Sequence, residues 1–181
     1  NKNLLLYLDG ARLGSALVVK EANLTLKDVY ELTDLFFIGG TKTGALLGEA
    51  LVVNNADLKE DFRYLIKQRG ALMAKGRVMG IQFEELFRDN LYFELAHHAN
   101  DEAQYMVRGL KELGCQFLID SPTNQIFPIL TNTTLEILAS QFQFYTWATV
   151  DKQHSAIRLV TSWATPHEAV EEFVSSYKNL C

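Results

Sequence analysis

Asp34-Leu35-Phe36-Phe37-Ile38-Gly39-Gly40-Thr41-Lys42-Thr43-Gly44-Ala45 carries one lysine out of an apolar run into a glycine-rich turn. The run Leu35 to Ile38 has the length and texture of a buried strand, and Gly39-Gly40 lets the backbone turn where a side chain would clash. Thr41 and Thr43 flank the Lys42 amine without covering it. A lysine is a poor nucleophile while protonated, and its reference pKa is about 10.4. Partial burial or a neighbouring cation lowers that value and favours the neutral amine that attacks a carbonyl. Taken alone, the motif also describes a surface lysine in a β-turn.

Upstream, the apolar residues 4 to 8 read as a buried strand leading into Asp9-Gly10-Ala11-Arg12. Asp9 then stands at the carboxyl end of that strand, where open α/β sheets collect their ligands. Arg12 is close enough to share the site. Between the motifs, residues 12 to 18 read as a loop or a short turn of helix. Thr25 caps a helix over 26 to 32, with Asp28 in capping-box register. A strand, helix, strand unit predicts a parallel pair, because parallel neighbours need a crossover connection.

Asp-Gly-Ala-Arg at 9–12 followed by Gly-Gly-Thr-Lys at 39–42 resembles the threonine aldolase and β-eliminating lyase family of fold-type I pyridoxal-phosphate enzymes. Ile157-Arg158-Leu159-Val160-Thr161-Ser162-Trp163 is similar to the late strand whose arginine grips the substrate carboxylate in that family. The resemblance covers nearly all of this chain but only the C-terminal half of such an enzyme. It implies an α/β fold, with part of a transferase-like large domain over residues 1–75 and a helix pair plus an α+β C-terminal small domain over 76–181.

The same resemblance implies pyridoxal 5'-phosphate as the cofactor, held by Lys42 through a Schiff base. Asp9 would pair with its protonated ring nitrogen, with Arg12 beside it and Thr41 donating to its phosphate. Arg158, with Arg12 as a second candidate, would anchor the α-carboxylate of a small amino-acid substrate through bidentate charge-assisted hydrogen bonds. The implied activity is carbon–carbon lysis, the retro-aldol cleavage of a β-hydroxy-α-amino acid to glycine and an aldehyde. A β-elimination by the same family is the alternative, and these residues do not include the base that would decide it. A complete member carries upstream a Gly/Ser/Thr loop for the cofactor phosphate and a ring stacked on the pyridine. Neither has room before Asp9, and the chain begins at Asn1, not Met. The expectation is a C-terminal fragment, inactive alone, that needs the missing N-terminal half of the same enzyme and works as a homodimer or homotetramer. A catalytically silent domain whose long helices mediate oligomerisation is the competing expectation.

Composition sets outer bounds. The 181 residues suffice for a sizeable core, and 48% hydrophobic with 22% charged is ordinary for a globular chain. A net charge of −5 without a basic run argues against a nucleic-acid partner. The apolar runs are far shorter than the roughly 20 residues of a membrane span. Cys115 and Cys181 are the only cysteines, which predicts free thiols in a reducing compartment, by default the cytoplasm.

Further along, Leu46 to Val53 reads as a strand that the resemblance would turn antiparallel to its neighbours, and Leu58 to Gln68 as a helix stopped by Gly70. The cations of 67–77 read as a solvated loop or as a lobe that neutralises the cofactor phosphate in a neighbouring subunit. Val78 to Ala99 predicts a long helix burying Ile81, Leu86, Leu91 and Leu95, and Asn100 to Leu113 a second. His97 and His98 point to opposite sides of a helix, which disfavours a shared metal. Then come a strand at 116–119, a turn, an edge strand at 125–130 on account of Pro128, a helix at 133–141, and strands at 144–150 and 156–161. Thr165-Pro166-His167-Glu168 has the form of a capping box opening a final helix to about Lys178, and Trp147 and Trp163 are expected in the core.

Overall fold

The computed structural model describes residues 4–181, which divide after Leu95 into two compact units. That division falls later in the chain than the 75/76 boundary implied by the family resemblance.

In the first unit, β1 (Tyr7–Leu8) pairs in parallel with β2 (Leu35–Gly39), and β3 (Glu49–Val53) returns antiparallel on the other side of β2. The crossover between β1 and β2 holds α1 (Leu13–Leu17) and α2 (Leu26–Leu32). The α2 capping box forms as expected: the Asp28 N–H donates to Thr25 Oγ1 at 3.2 Å and the Thr25 N–H to Asp28 Oδ2 at 2.8 Å. Leu13, Val29, Phe36, Ile38, Ala45, Leu86 and Tyr92 form the core of this unit.

Residues 4 to 8 are not the buried strand expected. Only Tyr7 and Leu8 pair, and Leu4, Leu5 and Leu6 are exposed. β1 lies at the edge of its sheet, so its apolar run has a partner on one side only. Asp34 anchors it, accepting the Leu6 N–H at 2.8 Å; that bond and one from Asn55 hold the Asp34 carboxyl below the usual carboxylate range.

The helices that follow are α3 (Phe62–Gln68), α4 (Arg77–Phe87) and α5 (Leu91–Glu112). The expected break at 99/100 is absent, and the chain turns instead at Arg88–Asn90. There Asp89 (φ 51°) and Asn90 (φ 64°) take the left-handed conformation that short polar side chains tolerate best. Arg88 pairs with Glu85 at 2.6 Å as α4 ends, whereas no glycine or proline interrupts Ala99-Asn100. Ile81 is exposed rather than buried. Among the described residues no helix is long and apolar enough to cross a membrane.

In the second unit, β4 (Gln116–Phe117), β5 (Gln125–Ile126), β6 (Pro128–Thr131), β7 (Tyr145–Thr149) and β8 (His154–Val160) make an antiparallel sheet. Pro128 does not mark an edge. β6 lies between β4 and β8, while β5 and β6 pair with β8 in one continuous register interrupted at Phe127-Pro128. A proline at the first residue of a strand costs the ladder little, and here it divides one strand into two.

Two helices, α6 (Asn132–Leu138) and α7 (His167–Lys178), complete this unit. Leu110, Ile126, Leu130, Leu138, Ile157, Val170 and Phe173 are among its core residues. The expected capping box at α7 is not made. Pro166 is the cap residue, and Thr165 Oγ1 instead accepts the Ser162 N–H at 2.8 Å, closing the preceding turn. Cys115 and Cys181 are free, and burial pushes the Cys115 thiol up to about 11, which keeps it protonated and unreactive.

His167 ties α7 to α5: its Nδ1 lies 2.9 Å from Glu102 Oε2, its Nε2 3.7 Å from Glu171 Oε1, and its ring meets Tyr105 edge-on at 4.5 Å. The Glu102 hydrogen bond and the surrounding carboxylates raise the imidazole pKa above its ordinary value. A raised histidine stabilises the fold fully below its unfolded pKa of about 6.5, and that contribution fades as pH rises through the folded value. His167→Gln should therefore lower the melting temperature more at pH 6 than at pH 9. An equal loss at both would show that the imidazolium contributes nothing.

Candidate active site

Because β1 and β2 run parallel, the turns that follow them emerge at the same end of the sheet. Asp9-Gly10-Ala11 leaves β1 there and Gly39-Gly40-Thr41-Lys42 leaves β2. One carbonyl joins them: Gly10 C=O accepts the Gly39 N–H at 2.9 Å and the Leu13 N–H at 2.9 Å. The backbones touch so closely that a Cβ on Gly10 would lie 1.7 Å from the Phe37 carbonyl oxygen, and one on Gly39 2.4 Å from that of Ala11. Glycine is needed at both positions for want of space rather than for an unusual φ.

Asp9 is exposed, with Oδ1 accepting the Ala11 N–H at 3.1 Å in a local turn. Arg12 is half-buried at the start of α1. Lys42 stands in a single 3-10 turn, Thr41–Thr43, closed by the Thr43 and Ala45 N–H groups donating to Gly40 C=O at 2.9 and 3.0 Å. Gly44, at φ 103°, is the one residue of this turn in the left-handed region. Thr41 and Lys42 are exposed, and the Lys42 amine makes no ion pair or hydrogen bond among the described residues.

Sequence reasoning passes over the residues that brace this turn. Glu49 lies opposite Gly39 across β2 and β3, and its Oε2 accepts the Gly40 N–H at 2.8 Å. Tyr92 is fully buried on α5. Its oxygen accepts the Gly14 N–H of α1 at 3.1 Å and shares a hydrogen bond with Thr43, beside Lys42; burial pushes the phenol pKa up. Tyr92 thus links the two turns from beneath. Its signal in the sequence was the helical stripe it shares with Ala96 and Ala99, once the helix is started at Leu91.

Arg158 lies on β8 in the second unit. Its guanidinium carbon sits 5.4 Å from the Tyr145 ring centre and 5.3 Å from that of Trp147. Trp147 and Trp163 are not core residues as expected: they are 52% and 41% exposed. The edge strand β7 leaves its side chains uncovered, and Trp147 rests on Phe127 instead, at 5.3 Å. Lys67, Arg69, Lys75 and Arg77 are all exposed. Among the described residues no group of His, Cys, Asp and Glu could hold a metal; His97 is exposed and His98 Nε2 lies 2.8 Å from the Thr165 carbonyl.

No family model matches the chain. It is 32% identical over 172 residues to a low specificity L-threonine aldolase of Pseudomonas aeruginosa, covering 92% of this chain and 48% of that protein. It is 31% identical over 178 residues to one from a Pseudomonas species, covering 96% and 49%. The structure of Leishmania major threonine aldolase superposes with a TM-score of 0.94 at 48% identity, covering 98% of this chain and 52% of that one. The chain therefore spans about half the length of each of these proteins.

Proposed function

We propose, for a chain that matches the threonine aldolases over about half of their length, that it supplies the lysine-bearing half of a pyridoxal-phosphate-dependent lyase acting on β-hydroxy-α-amino acids. The observation that carries the reading is the joining of the Asp9 and Lys42 turns through Gly10 C=O at one end of a parallel strand pair. An exposed amine with no ion pair among the described residues and an exposed carboxylate occupy that end, which is what a cofactor with an aldehyde and a basic ring nitrogen requires.

Lys42 would hold the cofactor, Asp9 its ring nitrogen, and Thr41 and Arg12 its periphery. When bound, pyridoxal phosphate supplies an electron sink for the pair left at Cα when the Cα–Cβ bond breaks. Asp9 would accept a hydrogen bond from the protonated ring nitrogen of the cofactor. Glu49 and Tyr92 brace the lysine turn, so that the backbone carrying Lys42 is held in place. Arg158 would bind the substrate α-carboxylate, a role that a planar guanidinium fills with two parallel hydrogen bonds. A fixed carboxylate decides which Cα bond is broken.

The test uses the full-length protein, loaded with pyridoxal phosphate and given threonine. Glycine and acetaldehyde are the expected products. Loss of a β-substituent with release of ammonia and an oxo acid would replace this reading with β-elimination. Borohydride treatment followed by peptide mapping should place the cofactor mass on the peptide containing Lys42, and a label elsewhere would overturn the assignment.

A further inference from the structure

Tyr145 is 71% exposed and Trp147 52% exposed, so neither ring is held in place by a core. Both nevertheless lie over the Arg158 guanidinium, within the roughly 6 Å at which a cation is attracted by a ring face. The strand register explains how. Tyr145 pairs directly with Arg158, and the register of β7 on β8 shifts between Thr146 and Ala148, so that Trp147 is the extra residue of a bulge. A bulge re-aims the side chain it carries. Continuing the register of β5 on β8 by one residue puts Phe127 opposite Arg158 from the other side, and the Phe127 ring backs Trp147 at 5.3 Å. Arg158 Nε is buried without a hydrogen-bond partner among the described residues, so the head of this arginine is held by rings rather than by an acid.

We propose that Tyr145 and Trp147 are positioning residues that clamp the Arg158 guanidinium against their aromatic faces for the binding of a carboxylate ligand. The inference rests on the reading of Arg158 as the substrate's carboxylate anchor. An acidic partner would occupy the same in-plane N–H groups that a carboxylate needs. Ring faces hold the cation without using them. The clamp also limits the rotamers of a long side chain, so less freedom is lost when the ligand binds. Its effect therefore belongs in substrate affinity and not in the bond-breaking step.

In the full-length enzyme, Trp147→Leu and Tyr145→Leu should each raise the KM for threonine by roughly three- to tenfold, as expected for losing one such contact, with kcat within about twofold. Trp147→Phe, which keeps a ring, should recover most of the affinity, whereas leucine keeps only the apolar bulk. A second readout needs no turnover: the fluorescence of Trp147, taken as the difference from the Trp147→Phe enzyme, should change on titration with glycine, with a dissociation constant that weakens in parallel when Tyr145 is replaced by leucine. Arg158→Ala serves as the control and should raise the KM further than either ring variant. If Arg158→Ala leaves the KM unchanged, the anchor reading itself fails and the clamp with it. If Arg158→Ala weakens binding but both leucine variants bind as the parent does, the clamp alone is overturned. A Trp147→Leu enzyme with lower kcat and thermal stability at unchanged KM would likewise overturn it, as would a Trp147→Phe enzyme no better than Trp147→Leu.

Discussion

Replacing Lys42 by alanine should reduce glycine release from threonine by roughly a thousandfold or more, while the melting temperature of the protein stays within a degree or two of the parent. The first half follows from chemistry: only an amine able to lose its proton can bond to a carbonyl carbon, and no neighbouring residue of the turn offers one. The second half follows from the structure. Lys42 is exposed and makes no ion pair or hydrogen bond among the described residues, and surface substitutions of that kind usually change stability by about 0.5 kcal/mol or less. The turn is closed by backbone bonds to Gly40 C=O and by Glu49, none of which involves the lysine side chain. Lys42→Arg adds a discrimination. It keeps the positive charge but not a nucleophilic amine, so it should be as inactive as alanine if the amine bonds to the cofactor. Should arginine restore activity, the residue acts through charge. Should alanine retain substantial turnover, Lys42 is not the reacting amine.

The parts of the fold legible in the sequence are those dictated locally. The α2 cap was readable because Thr25 and Asp28 supply both hydrogen bonds of the box within four residues, and β2 because Leu35 to Ile38 is apolar throughout. The antiparallel return of β3 was implied by family resemblance and is observed. What failed depends on distant neighbours. Leu4 to Leu6 looked buried because they are apolar, but burial is a property of the partner strand, and β1 is an edge. Pro128 suggested an edge strand, although an interior strand accommodates a proline where the ladder is interrupted. The break at Arg88–Asn90 lacks the usual glycine or proline and uses Asp89 and Asn90 in the left-handed region instead.

The candidate site divides along the same line. Asp9 and Lys42 were nameable as residue types at strand ends. Glu49 and Tyr92 could not be named, because their roles exist only once β3 pairs with β2 and α5 packs under both turns. Tyr145 and Trp147 were hidden for a further reason: an exposed aromatic pair on an edge strand gains meaning only when Tyr145 pairs opposite Arg158 and the bulge turns Trp147 toward the same arginine.

Gly10→Ala should destabilise the first unit by about 4 kcal/mol, at the upper end of what single substitutions do. The added Cβ would stand 1.7 Å from the Phe37 carbonyl oxygen, and that atom belongs to the backbone of the middle strand, so it cannot swing aside as a side chain could. Relief requires β1 and β2 to part at their carboxyl ends, which breaks the Gly39 N–H bond to Gly10 C=O. Gly39→Ala meets the mirror-image obstruction, 2.4 Å from Ala11 C=O, and should cost a comparable amount. Once one substitution has separated the turns, the other has less to lose, so the double variant should fall short of the sum of the single losses. Gly80→Ala is the control, since nothing lies within 4 Å of its added Cβ and it sits inside α4; alanine there should stabilise by roughly 0.5–1 kcal/mol. Trp147 and Trp163 both belong to the second unit, so the first unit is followed in urea by hydrogen exchange at the Phe36 to Gly39 amides. Loss of the packed turns should also abolish borohydride labelling at Lys42 at urea concentrations where the second unit is still folded. A Gly10→Ala protein as stable as the parent would mean that the acid and amine turns do not pack together, and the shared site would go with that contact.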